Sequence, residues 1–167
     1  MKRKAYDYSM VVRNFTFGVE DSLVSTVGLL AGIAVADVSR SSIIITGLVL
    51  IFVEGFSMAV GSLLSEQSVE EYKVHKEVSL VKPAFASMVM FFSYVLAGLI
   101  PLAPYFFETP YAVAISIGLT LLSLLLLGVF NAKMFRVSMW RDGLFTLAMG
   151  GIAIVVGIVV GQIAGRF

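Results

Sequence analysis

The sequence predicts an all-α integral membrane protein of five transmembrane helices, with a cytosolic N-terminus and a C-terminus that is outside or lumenal. Three observations predict it: an apolar composition, five long apolar runs, and a one-sided distribution of basic residues. Hydrophobic residues fill 59% of the 167 positions and charged residues only 14%. A soluble domain is nearer half apolar and a quarter charged. The length is that of one domain, so residues 1–167 are expected to form a single five-helix unit.

The runs place helix 1 at Phe15–Ala36, helix 2 at Ile43–Leu64, helix 3 at Pro83–Phe107, helix 4 at Tyr111–Phe130 and helix 5 at Gly143–Gly165. Each has about 20–25 residues, roughly 30–37 Å at helical rise, which is enough to cross a bilayer. The segment before helix 1, MKRKAYDYSMVVR, is charged. The apolar stretch after it is too long for a signal peptide and lacks a small-x-small cleavage site, so helix 1 is read as a retained span. Pro101 and Pro104 predict a kink or broken end on the outer side of helix 3. The connectors are too short for a soluble domain, and there is no convincing internal repeat.

Ten basic residues fall on one side: Lys2, Arg3, Lys4 and Arg13 before helix 1, Lys73, Lys76 and Lys82 between helices 2 and 3, and Lys133, Arg136 and Arg141 between helices 4 and 5. Only Arg40 and Arg166 fall on the other. The positive-inside rule then fixes the orientation given above. The chain has no cysteine and one histidine, His75, which excludes thiolate and multi-histidine metal sites. No basic tract with interleaved aromatics suggests nucleic acid. No nucleophile–base pair or cofactor motif suggests an enzyme, and no permanently bound cofactor is expected.

Glu20, Asp21 and Glu54 lie inside predicted spans. A carboxylate at mid-membrane costs about 2.5–3.5 kcal/mol on insertion scales, and such groups usually face a bundle interior or an aqueous path. Glu20 is near enough to the start of helix 1 to reach the headgroups. Asp21, Ser25, Gly28 and Gly32 share one helical face; Glu54, Met58, Gly61 and Ser65 repeat that spacing on helix 2. Antiparallel pairing would set Asp21 level with Met58, and Ser25 level with Glu54. Carboxylate oxygen alone suits Mg²⁺, Ca²⁺ or Mn²⁺; an added thioether shifts preference toward softer ions such as Fe²⁺. Met88 and Met90 in helix 3 are read as packing.

The run Phe17-Gly18-Val19-Glu20-Asp21-Ser22 through Gly28-Leu29-Leu30-Ala31-Gly32 resembles the first helix of the vacuolar iron transporter family. Ser57-Met58-Ala59-Val60-Gly61 with Leu64-Ser65 resembles its second-helix signature, and Gly98-Leu99-Ile100-Pro101-Leu102-Ala103-Pro104 its third helix. The resemblance covers nearly the whole chain. It implies a homodimer of five-helix protomers in the lipid bilayer that moves Fe²⁺, and often Mn²⁺, Co²⁺ or Zn²⁺, out of the cytosol against inward protons. The family's path lies between protomers near helices 1 and 2, and its embedded aspartate and methionine map to Asp21 and Met58.

Three positions depart from the family pattern. Glu20-Asp21-Ser22 stands where Asn-Asp-Gly is usual, Glu54 stands where a small residue is expected, and Ser62 replaces a frequent glutamate. Glu54 and Ser62 are eight residues apart on one face, so the carboxylate reads as relocated. The glutamate-rich cytosolic metal-binding domain that many members carry after helix 2 is missing. In its place, Glu66 and Glu70 form either a solvated continuation of helix 2, the favoured reading, or a short cytosolic mouth for cations.

The expected protein is an exporter of Fe²⁺ or Mn²⁺ working by proton antiport. Asp21 and Met58 are its metal ligands, and Glu54 is a further ligand or proton carrier. Glu20 admits or couples the ion, and Ser25, Gly28 and Ser62 line the path. A passive divalent-cation channel, or a scaffold or sensor that transports nothing, uses the same residues. The short loops point to a prokaryotic plasma membrane; a eukaryotic relative would occupy a vacuolar membrane. For assembly, the Gly28–Gly32 stripe is expected near a twofold axis, and the ridge Gly157, Gly161 and Gly165 inside one protomer.

Overall fold

The computed structural model describes residues 2–36 and 38–166; Met1, Asp37 (the first residue of the first connector) and Phe167 lie outside them. Five helices follow in order: α1 (Lys2–Val35), α2 (Arg40–Val74), α3 (Val81–Leu102), α4 (Ala112–Phe135) and α5 (Met139–Ala164), with a 3₁₀ turn at Ala103–Phe106. All five are long and apolar enough to cross a membrane. The helices outrun the apolar stretches. α1 starts in the basic segment at Lys2 rather than at Phe15, and α2 runs on from Leu64 to Val74. Hydropathy marks where lipid ends; it does not mark where helical hydrogen bonding ends.

Local signals set the ends that the apolar pattern misses. Ser39 caps α2 by accepting from the Ser42 amide at 3.3 Å. The helix closes at His75, which sits in the left-handed region (φ 53°) and donates its amide to the Glu71 carbonyl at 2.7 Å. Arg136 ends α4 in the same way, at φ 59°. Pro101 lies inside α3, and the helix tightens into the 3₁₀ turn directly after it. This is the broken end expected there. Arg40, one of the two basic residues at this end of the bundle, gathers up the carbonyls left by the break. Its guanidinium donates to the carbonyls of Tyr105 (2.7 Å) and Phe106 (2.6 Å) and pairs with Glu108 at 3.1 Å.

α1 is the central helix and touches the other four. Leu23, Val27 and Leu30 on it are fully buried. Leu30 joins Ile51 and Leu102, Leu23 joins Ala97 and Leu124, and Val27 joins Ala31 and Ile154. α2 is peripheral. Its buried stripe is Ile43, Gly47, Ile51 and Gly55, seated mainly on α3, while Phe52, Phe56 and Val60 point away from the bundle.

The α5 ridge packs within the protomer, as expected, but what it packs against corrects the expectation for α1. A Cβ on Gly157 would overlap the Gly28 carbonyl, and one on Gly161 would overlap the Gly32 carbonyl. A Cβ on Gly32 would stand 2.5 Å from the Gly157 oxygen. The α1 stripe and the α5 ridge are thus two halves of one backbone-to-backbone contact. Gly28 and Gly32 are buried there, and neither is free to form a twofold contact between copies. The glycine spacing was correct as a signal of close approach; only the partner helix differs.

Candidate functional site

Of the two levels expected for the polar stripes, the structure joins one, and it does so through a third helix. Glu54 comes from α2 and Ser25 from α1, and Tyr94 of α3 stands between them. The Tyr94 hydroxyl donates to Glu54 Oε2 at 2.7 Å and lies 2.8 Å from Ser25 Oγ. Ser22, one turn before Ser25, donates to the Tyr94 carbonyl at 2.6 Å. Tyr94 itself is fully buried. Asp21, half-buried, lies one turn before Ser25 on α1. No lysine or arginine occurs between residues 14 and 39 or between 41 and 72. No cation of α1 or α2 is therefore at hand at this level to neutralise the carboxylates.

The remaining candidates are distributed over three open grooves. One, of about 630 Å³, is lined by Met58, Ser62, Asn14, Arg13 and Met90. A second, of about 500 Å³, holds Glu20 with Thr16, Phe17 and Phe135. The third, of about 940 Å³, is lined by Ser25, Glu54 and Gly28 together with the α5 glycines. Met58 lines the first of these grooves, and Asp21 lines none of the three. Ser62 donates to the Asn14 side-chain oxygen, and the Asn14 amide donates to the Met10 carbonyl at 2.9 Å. Gly28 is a floor residue closed over by Ala153. Among the described residues no three His, Cys, Asp or Glu side chains are grouped closely enough to hold a metal.

At the basic end the structure divides the two glutamates of the expected mouth. Glu66 is 2% exposed and ion-paired with Arg13, so it is neither solvated nor open to a passing cation. Glu70 is half-buried on the extension of α2. Gln67 and Glu71 on that extension are half-buried too, while Val69 and Tyr72 are exposed. The pairing has a simple cause: a long α1 brings Arg13 alongside the equally extended α2.

Sequence reasoning missed Tyr94, Asn14, Arg13 and Met90. A tyrosine in the middle of an apolar helix carries a hydroxyl that must find a partner, and that signal could have found Tyr94. Asn14, a buried amide just before the first apolar run, carries the same kind of signal. Met90 is buried, as packing requires, and it also lines the groove that holds Met58.

The sequence is similar to known proteins over most of its length. The sequence profile of the VIT family matches residues 12–79 and 67–162. A curated relative, vacuolar iron transporter homolog 3 of Arabidopsis thaliana, is 25% identical over 170 residues, covering 93% of this chain and 85% of the relative.

Proposed function

The chain belongs to the VIT family, and on that premise we propose that it exports a divalent transition metal, Fe²⁺ or Mn²⁺, from the cytosol in exchange for protons. Family membership and the relative's name support a metal transporter. The observation that carries the finer reading is the pair Asp21 and Glu54: two carboxylates inside the spans, Asp21 one turn from the Ser25 that Tyr94 links to Glu54, with no basic residue of α1 or α2 beside them. Buried charge of one sign must be neutralised. A divalent cation and protons are interchangeable ways to do so, which is the physical basis of antiport. Asp21 and Met58 would ligate the metal, with Glu54 as a further ligand or proton carrier and Glu20 as the group that admits or couples the ion.

The protomer's own acidic groups do not complete a coordination sphere among the described residues. We take the missing ligands from a second copy, so the working unit is a homodimer. The groove holding Ser25 and Glu54 is open, and the adjoining face of α2 is exposed at Phe52 and Val53; this surface, with Gly28 in its floor, is where the copies would meet. The basic connectors would face the cytosol, in a plasma membrane of a prokaryote or a vacuolar membrane of a eukaryote.

Purified protein in liposomes should carry Fe²⁺ and Mn²⁺, and an imposed pH gradient should accelerate the flux. Flux indifferent to the gradient would identify a channel, and no flux at all would leave a scaffold or sensor. Glu54→Gln should flatten the pH dependence of transport while the protein remains folded; a profile of unchanged shape would remove Glu54 as the proton carrier. Met58→Leu keeps the packing volume but deletes the thioether. It should weaken Fe²⁺ against Mn²⁺ by about tenfold in competition, and an unaltered ratio would exclude sulfur ligation.

A further inference from the structure

Glu54 sits on the helix least enclosed by the bundle, at the end of a side chain with several free torsions. A flexible carboxylate loses entropy each time it is ordered around a ligand, and a fixed hydrogen-bond partner removes that cost in advance. Tyr94 has the geometry of such a partner. Its backbone is tied to α1 by the Ser22 hydroxyl at 2.6 Å. Its ring lies against α2 at Gly55, where an added Cβ would stand 3.2 Å from Tyr94 Cδ1. Its hydroxyl reaches Ser25 and Glu54 together.

The direction of the hydrogen bonds follows from proton count. A phenol has one proton. With that proton donated to Glu54, the contact with Ser25 must be one in which the serine donates. The chain therefore runs from Ser25 through Tyr94 to Glu54 Oε2, pointing negative charge back along an ordered row of dipoles. Both hydroxyls are satisfied, and Oε1 of Glu54 is left without a hydrogen bond from either of them.

We propose that Tyr94 is the positioning residue for Glu54: it holds one carboxylate oxygen on the α1–α3 seam and so presents the other to a divalent cation. This rests on Glu54 being a metal-binding group, and it assigns the task of orienting it to α3, a helix that carries no ligand of its own. Outer partners that fix the direction of a metal-binding side chain commonly change affinity by about 10–100-fold when removed.

The test is Mn²⁺ binding to the purified, detergent-solubilised protein, followed by the loss of the free-ion electron paramagnetic resonance signal. Tyr94→Phe keeps the buried ring and removes the hydroxyl. It should weaken Mn²⁺ about tenfold, with elution profile and thermal midpoint close to wild type. In a Glu54→Gln background the same substitution should change affinity by less than about twofold, since a positioning residue has nothing left to position. Ser25→Ala, which leaves the ring untouched, should act in the same direction and also lose its effect in that background. Equal effects of Tyr94→Phe in both backgrounds, no effect in the wild type, or a wild-type protein that binds no Mn²⁺ would each overturn the proposal. Flux is measured separately: a protein that binds Mn²⁺ in a Tyr94-dependent way but moves none across liposomes would refute transport and leave the Tyr94 assignment standing.

Discussion

Asp21→Ala should abolish metal flux in liposomes, by about a hundredfold or more, without unfolding the protein. The two halves of this expectation have different origins. Asp21 lies inside a span, one turn of α1 before the Ser25 that shares Tyr94 with Glu54, with no basic residue nearby on α1 to answer its charge. Deleting it removes a group that costs about 2.5–3.5 kcal/mol to place at mid-membrane, so the bundle has nothing to lose electrostatically. Leu23 and Val27, the buried residues that follow it on α1, pack in clusters that do not include it. What is lost is the negative charge that a divalent cation would meet beside Glu54. Flux at the wild-type level in a well-folded variant would remove Asp21 from the mechanism.

Gly157→Val should destabilise the bundle more than any substitution of the polar groove residues, by about 3 kcal/mol or more. The reason is the nature of the obstructing atoms. A Cβ at this position meets the carbonyl and Cα of Gly28, all backbone, and no rotamer change can move them aside. α1 and α5 would have to separate along their length, which also opens Gly32 from Gly161. Gly118→Val and Gly151→Val are the matched controls, because nothing lies within 4 Å of a Cβ at either position. Thermal unfolding in detergent should show a large loss for the first and little change for the other two. Equal midpoints in all three would show that the glycine contact does not hold the bundle.

Much of this was legible from sequence because membrane insertion leaves strong marks. Apolar runs located the five spans, and Pro101 marked the broken end of α3. Helical spacing set Ser25 level with Glu54. The glycine patterns announced close approach, but periodicity describes one helix at a time and does not say which two helices meet. For that reason the Gly28–Gly32 stripe, which belongs with α5, was read as a dimer face. Glu66 was misplaced because the helical extensions of α1 and α2 lie outside the hydropathy signal; only their joint length brings Arg13 to it. Tyr94 was overlooked because a lone tyrosine in an apolar helix has the same composition as packing, and its role depends on two other helices.

The glycine contact between α1 and α5 divides the protein mechanically. Where backbone rests on backbone there are no rotamers to take up slack, so a displacement of α5 passes to α1 undiminished. α2 has a different seat: a narrow stripe of Ile43, Gly47, Ile51 and Gly55 against side chains such as Leu102 and Tyr94, where small torsional adjustments can absorb movement. The bundle therefore has a stiff half that carries Asp21 and Ser25 and a compliant half that carries Glu54 and Met58. A movement of one half against the other would be taken up at the seam between them.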